Sequence, residues 1–419
     1  MVERRRYWVH IAMLLSSGFL VGRRSLMTCA MRSTSSSCSN NKVAILGSGI
    51  AGATAARKMA ENGVSVTVFE AGFGAGGRTS TRMTRGPDSP TPPLQFDHGA
   101  QYISEPKSKA FGEAIKNWMK AGIVQNWKGS FVSISKDGIS AIDESKHHYV
   151  GVPTMNSIAK YLLDHERINV VFQTRACCSF DASKNKWSLT RHDDDSPEAS
   201  LGEFDWVVAG DRLSATNNRA DLRHAPVDRF KETVQGIESI PILVLMVSFE
   251  EKLDVPFDGA LFEGQEFGSL GWIARDSSKP TRARDDGQDC WVIQSNADAA
   301  REVLSQVDGE TFEEKRENVR DRSKELLMND FLAALPKLSE NKDSFKLPQI
   351  TYAVGHRWSA SFPDVSPSEI YCFLDDLEHK FLACGDFLGP YPGRIEGAFL
   401  SGTSAADTIL RSMENSDDS

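Results

Sequence analysis

The chain has 419 residues, 40% hydrophobic and 25% charged, with a net charge of −9 and an isoelectric point near 5.6. That length exceeds one ordinary core and predicts about two to three lobes, and the composition is that of a soluble globular enzyme. The acidic balance excludes a broad nucleic-acid-binding face. The seven cysteines show no metal-ligand spacing and read as free, packed thiols.

The amino-terminal segment carries no acidic residue from Arg4 to Ala60. Arg4-Arg5-Arg6 precedes an apolar run from Tyr7 to Val21, shorter than the ~20 residues of a spanning helix and broken by His10, Ser16 and Ser17. A basic start with a short apolar core reads as a secretory signal, and the Arg- and Ser-rich piece that follows reads as an organelle transit peptide. In tandem they resemble the bipartite leader of proteins sent to plastids through the secretory pathway. A simple mitochondrial or plastid leader and a signal anchor are the alternatives. Residues 1–40 are therefore set aside from the fold as a leader that is removed, and no membrane span is expected in what remains.

Next comes an apolar run, Val43-Ala44-Ile45-Leu46, then Gly47-Ser48-Gly49-Ile50-Ala51-Gly52, a small-residue helix, and Val64 to Glu70. Strand, glycine turn, helix and a second strand ending in an acid make one βαβ unit suited to a dinucleotide. Gly47 permits the turn, Gly49 admits a pyrophosphate close to the backbone, and Gly52 lets the helix pack on the sheet. The helix amino terminus supplies partial positive charge there, and Glu70 stands where a carboxylate accepts from a ribose, with Ala71 beside it. A second glycine cluster, Gly76-Gly77-Arg78, follows.

Gly86 to Pro93 reads as a surface loop and ends at Phe96-Asp97-His98-Gly99-Ala100-Gln101-Tyr102, small residues between polar rings that fit either backbone passing along something flat or a strand edge and turn. Helical spacing predicts a helix over Phe111–Ala121 and another around Ile158, Tyr161 and Leu162. Val170–Phe172, Phe180 and Trp187–Leu189 read as strands of one meander, and Phe204–Gly210 as a further strand. From there to about Gln349, strands at Pro241–Phe249, Gly259–Phe267, Gly271–Arg275 and Cys290–Gln294, with a helix over Val319–Leu335, predict a separate α+β lobe. The last stretch again pairs a buried strand with a glycine turn and a helix. Strand Phe381–Cys384 is followed by the turn Gly385-Asp386, then by a helix from Ile395 with small residues on one stripe.

Val43–Glu70 with Gly76-Gly77-Arg78-Thr79, and Leu382–Asp386 with Gly393-Arg394-Ile395-Glu396-Gly397-Ala398, resemble the two flavin motifs of the flavin-containing amine oxidase superfamily. Within it, His98–Tyr102, Gly151–Ala159, Trp272–Pro280 and His356-Arg357-Trp358 are similar to the renalase group. The resemblance spans nearly all of residues 42–412. It implies an α/β fold with a discontinuous Rossmann-type FAD-binding domain (42–104, 150–212 and 350–412), an inserted α+β substrate domain (105–149 and 213–349) and a disordered tail at 413–419. The chain departs from the pattern at one place: monoamine oxidases hold flavin through a cysteine near this motif and flank it with an aromatic pair, whereas here Cys384 precedes Gly385 in the strand and Tyr391 is the one obvious tyrosine of the loop, so FAD is expected to be non-covalent and ordinary amine oxidation is not favoured.

Carried over residue by residue, Gly47 to Gly52 would hold the pyrophosphate, Glu70 the adenosine ribose, and Gly77 and Arg78 the phosphate or ribityl side. Ala100 and Gln101 would lie along the flavin, Ala176 against adenine, Gly385 and Asp386 at the ribityl chain, and Ile395 and Glu396 at the pyrimidine ring. His98, Gln101, His356 and Trp358 are the catalytic candidates; Trp272, Arg275 and Arg357 are those for the substrate. Each has a structural alternative as a brace, a core ring or an ion-pair partner. The activity implied is hydride transfer from a small reduced molecule, such as an isomeric dihydronicotinamide, with O2 as acceptor and no metal. An amine oxidase, a desaturase of a hydrophobic metabolite, and a flavoprotein without turnover are the alternatives.

Overall fold

A computed structural model describes residues 41–86, 89–142, 146–192, 196–215, 227, 233–234, 236–264, 266–365 and 373–417. The expected leader lies outside the described residues.

In chain order, β1 (Lys42–Leu46), α1 (Ile50–Glu61) and β2 (Ser65–Phe69) form the opening βαβ unit, followed by the short strands β3 (Arg82–Met83) and β4 (Gln95–Phe96). Helix α2 (Lys109–Lys120) leads to β5 (Val124–Asn126), β6 (Phe131–Ser135), β7 (Gly138–Ala141) and β8 (Tyr149–Gly151). After α3 (Ser157–Leu163) come β9 (Ile168–Val171), β10 (Ala176–Asp181), β11 (Lys186–Arg191), β12 (Ser200–Phe204) and β13 (Trp206–Ala209). The long β14 (Glu238–Phe249), β15 (Gly259–Phe262), β16 (Leu270–Arg275) and β17 (Asp289–Ser295) precede α4 (Ala297–Gln306) and α5 (Phe312–Leu338). The chain closes with β18 (Ile350–Asp364), β19 (Phe373–Asp376), β20 (Phe381–Cys384) and α6 (Ile395–Asp417).

Two sheets carry the molecule. The first has the order β19-β20-β13-β1-β2-β9, and β1 lies parallel to both its neighbours, Ile45 opposite Val208 on one side and Val68 on the other. Val43 to Leu46 are all buried, as a strand covered on both faces requires. Helix α1 packs on this sheet because Gly52 has no side chain: a Cβ there would stand 2.2 Å from the Gly47 carbonyl oxygen. Helix α6 packs on α1 for the same reason, a Cβ on Gly402 falling 2.2 Å from the Ala51 carbonyl oxygen. The small-residue stripe of the last helix is thus turned to the first helix.

The second sheet has the order β18-β14-β17-β16-β15-β6-β7. Helix α5 covers it, starting with a capping box between Thr311 and Glu314. Its buried positions Val319, Ser323, Leu327, Phe331 and Leu335 recur every fourth residue. The apolar ones among them share a core with Leu243, Leu245 and Val247 of β14.

Several boundaries differ from expectation. Val170 and Val171 belong to β9, which pairs in parallel with β2 at the edge of the first sheet, so they are not part of the β10-β11-β12 meander. Strand β18 pairs along β14, which puts residues 350–364 in the second sheet and moves the return to the first lobe beyond them. The 105–149 segment divides: Phe111, Ile115 and Trp118 of α2 pack with the first lobe's core, while β6 and β7 join the second sheet. The tail expected to be disordered continues α6 as far as Asp417.

A closed cluster of charges fastens the loop after β4 to the second lobe. Lys279 Nζ lies 2.6 Å from Asp276 and 3.0 Å from Asp97, and Arg282 lies 2.6 Å and 2.7 Å from the same two carboxylates. All four side chains are excluded from solvent. Burial alone would raise the Asp97 carboxyl, but Arg282 and Lys279 outweigh it and hold the group far below the carboxylate range. Lys279→Met leaves a net negative charge in this dry site, so stability should fall by about 3–5 kcal/mol, read as a lower urea midpoint. An unchanged midpoint would contradict the role given to the cluster.

Candidate functional site

The carboxyl ends of β1, β2, β13 and β20 all open on one cavity of about 500 Å³, through Gly47, Glu70, Asp211 and Asp386 respectively. This is the crevice that ligands take in open α/β sheets, where crossover direction reverses, and the volume lies in the usual range for cofactor sites. The opposite wall is the 356–363 run of β18, so both lobes line it.

At one end, Gly47 turns the chain with φ +100°. Gly49 caps α1 without any side-chain hydrogen bond, and a Cβ on it would meet nothing within 4 Å. The helix amino terminus, with Ile50 and Ala51, therefore faces open space, as an anion-binding turn does. Ser48 is buried behind the turn, its N–H and Oγ donating to Glu70 at 2.9 Å and 2.5 Å; Gly72 N–H donates to the other carboxylate oxygen at 2.6 Å. Glu70 is thus locked with one face to the cavity, beside Ala71 and opposite Thr174, Arg175 and Ala176. Gly52 is hidden beneath and serves packing alone.

Midway, Arg78 makes a bidentate pair with Asp386 at 2.6 Å and 2.5 Å and donates to the Ser361 carbonyl at 2.9 Å. Residues 308 positions apart are joined here, and Gly77, Gly385, Gly393 and Ile395 stand around them. Helix α6 begins at Ile395 and presents its amino terminus to the cavity.

The far end is aromatic. His98, His356 and Trp358 pack as a triangle, with ring centroids 4.8 Å, 5.0 Å and 5.1 Å apart. Trp358 Nε1 donates to the His98 carbonyl at 2.8 Å, and Gln294 Nε2 to the Gly99 carbonyl at 2.7 Å. A Cβ on Gly99 would lie 2.0 Å from the Arg78 carbonyl oxygen, so the Gly99-Ala100 backbone runs hard against the second glycine cluster. Burial pushes the imidazoles down, His98 to about 4 and His356 to about 3; Arg82 adds to both, and His98 to His356. Both rings are neutral at physiological pH.

Of the catalytic candidates, His356 and Trp358 line the cavity while His98 and Gln101 do not. His98 backs Trp358, and Gln101 turns its amide onto the Asp97 and Gly99 carbonyls of its own loop. Arg357 lines the cavity, but Arg275 is a structural residue: it is buried against Asp258 at 3.4 Å and Asp289 at 3.3 Å and stacks on Trp291. Trp272 is core, packed on Tyr102. The Glu396 carboxylate points away from the cavity and accepts from Lys107 and Ser108 N–H groups before α2.

Sequence reasoning missed Asp211, Gln294 and the Ser359–Pro363 wall. Asp211 had a usable signal, since it ends a buried strand just after Gly210. The others had none, because their place depends on how β17 and β18 pair with β14. Among the described residues no cluster fits a metal ion, and no helix is long and apolar enough to cross a membrane.

A family of NAD(P)-binding Rossmann-like domains matches residues 45–117. Solved structures extend the likeness to both lobes. Cyclohexylamine oxidase from Brevibacterium oxydans superposes with a TM-score of 0.61 at 12% identity over 90% of this chain and 100% of its own. An oxidoreductase from Methanosarcina mazei gives 0.60 at 10% identity, covering 87% and 100%, and a putrescine oxidase bound to putrescine gives 0.53 at 13%, covering 88% and 99%. The shared feature is the two-lobed fold. It joins a Rossmann-like dinucleotide domain to a sheet that walls the same crevice.

The neutral imidazoles tie stability to pH. Unfolded, each histidine would titrate near 6.5, so below that the unfolded chain binds more protons and stability drops as pH falls toward 4. Melting temperature measured from pH 7.5 to 4.5 should therefore fall less steeply in a His98→Gln/His356→Gln variant than in the parent. Equal slopes would refute the assignment.

Proposed function

We propose that this chain is an FAD-dependent oxidoreductase of renalase-like type, taking a hydride from a small reduced substrate and returning the electrons to O2. The carrying observation is a single cavity that runs from a glycine turn and the Glu70 carboxylate to a helix amino terminus and a half-buried aromatic wall. Gly47 to Ala51 fit the pyrophosphate, Glu70 a ribose, Ala176 the adenine, and Arg78 with Asp386 the central chain. When bound, the flavin supplies the hydride-accepting chemistry.

The residues around the reacting end bind and exclude water. The α6 amino terminus offers partial positive charge where reduction places negative charge. Trp358 presents a flat, apolar ring and Gly99-Ala100 a bare stretch of backbone, and burial pushes the His356 imidazole down to about 3, which leaves it a weak base for removing a proton. A donor already disposed to lose hydride, such as an isomeric dihydronicotinamide, suits such a site. Cys384 is buried, its thiol pushed up to about 12 by burial, and it does not line the cavity, which supports a flavin held without a covalent bond.

Amine oxidation is the second reading, favoured by the cyclohexylamine and putrescine oxidases that share the fold. Its weakness is electrostatic. The carboxylates lining the cavity are Glu70, Asp211 and Asp386, each already committed to donors at the nucleotide side.

Two experiments test the proposal. Gly49→Trp fills the open space at the turn without touching the core, so the soluble variant should purify without flavin while the parent is yellow; full retention would overturn the pyrophosphate assignment. Anaerobic mixing of the parent with a dihydronicotinamide isomer of NADPH should bleach the flavin within the mixing experiment. Bleaching by amines alone would move the assignment to the second reading.

A further inference from the structure

Arg394 stands where the last helix meets the cavity. It lines the cavity beside Gly393 and Ile395, immediately before α6 begins. Its carbonyl accepts from the Ala398 N–H at 3.1 Å, so the residue opens the first turn of the helix, and its own N–H donates to the Tyr391 carbonyl at 3.3 Å. The side chain is half-buried and anchored from the side, Nη1 donating to Ser104 Oγ at 2.9 Å.

Among the described residues no carboxylate lies within ion-pair distance of that guanidinium, whereas Arg78, midway along the cavity, is answered by Asp386. Glu396, the acid of the first turn, is committed elsewhere: its oxygens accept from the Lys107 and Ser108 N–H groups at 3.2, 3.1 and 2.6 Å. The charged side chain that does approach is a second cation, Lys107, whose ammonium lies over the Tyr391 ring at 5.9 Å. Burial pushes that ammonium down and Arg394 adds to the effect. A full positive charge therefore sits at the end of α6 where the free N–H groups of the first turn already carry partial charge of the same sign. A half-buried charge of this kind is less screened than one in open water.

We propose that Arg394 sets the electron affinity of the bound flavin: its fixed charge, added to the α6 amino terminus, stabilises the negative charge that the pyrimidine half gains on reduction. Hydride transfer breaks the donor C–H bond and carries both its electrons to flavin N5. The donor is left one unit more positive and the flavin one unit more negative. A cation held beside the flavin favours that direction. Ser104 is the positioning residue, since its hydroxyl holds the guanidinium against the helix end. The inference rests on the proposed function for the presence of the flavin and for the ring that faces α6.

Flavin-loaded parent and Arg394→Gln are compared in two titrations: reduction against a dye of known potential, and addition of sulfite, which attaches at flavin N5 and leaves negative charge on the same ring. Glutamine keeps an N–H donor for Ser104 and removes the charge. Sulfite should bind the variant about tenfold more weakly, and the two-electron potential should fall by about 30 mV, the same factor in electrical units. Arg394→Lys should bring both values back toward the parent, which a side chain that merely props the turn does not require. Ser104→Asp neutralises the guanidinium without replacing it; it should reproduce the loss, and it carries the test if the glutamine variant does not fold. Unchanged potential and sulfite affinity in these neutralising variants would sink the inference and leave the cofactor reading standing, as would a lysine variant no better than glutamine. Parent protein that neither purifies with flavin nor takes up added FAD would overturn the proposed function, and this inference with it.

Discussion

The geometry of the cavity depends on the buried contact among Asp97, Asp276, Lys279 and Arg282. Two cations and two anions share a solvent-free space, each cation touching both carboxylates. Desolvating four charges is unfavourable, and only a closed, mutually satisfied arrangement offsets it. Further donors complete it: the Thr81 hydroxyl and the Met155 N–H reach Asp97, and Arg282 Nε reaches the Pro153 carbonyl. The cluster thus gathers the chain after the second glycine motif, the loop after β4, the turn before α3 and the segment after β16. His98 and Gly99 follow Asp97 directly, so the wall of the reacting end inherits its position from this contact.

A second constraint works by the absence of side chains. Gly52 and Gly402 let α1 approach β1 and α6 approach α1, stacking the opening βαβ unit and the last helix into one body. Gly99 does the same at the cavity wall. With the Arg78–Asp386 pair, these contacts explain how a site built from both ends of the chain stays registered while a whole sheet is inserted between them.

What was legible in the sequence follows from locality. The β1-α1-β2 unit could be read because its glycines, its period and its terminal acid act within 30 residues, and each constraint is backbone-level. Strand β18 could not, because an edge strand facing a helix on one side and a polar cavity on the other keeps neither alternation nor an apolar run: Gly355-His356-Arg357-Trp358 looks like a loop. Arg275 and Glu396 show the same limit. Both sit in motif-rich stretches, yet their partners, Asp258 and Asp289 for one and the amides before α2 for the other, are chosen by tertiary approach. Gln101 does not line the cavity because its amide is captured by the Asp97 and Gly99 carbonyls of its own loop, a contact fixed by how that loop folds back.

The charge layout explains why so little acid–base machinery accompanies so large a cavity. Its lining acids are tied to serine, backbone or arginine donors, and burial pushes the one imidazole among its described lining residues, His356, down to about 3. Groups so committed orient a ligand and are poorly placed to act as a general base. In the proposed reading, electron transfer then falls to the flavin. The large second sheet is more than a lid: through its edge strand β18 it supplies His356, Trp358 and the Ser359–Pro363 wall of the cavity that the first sheet opens on.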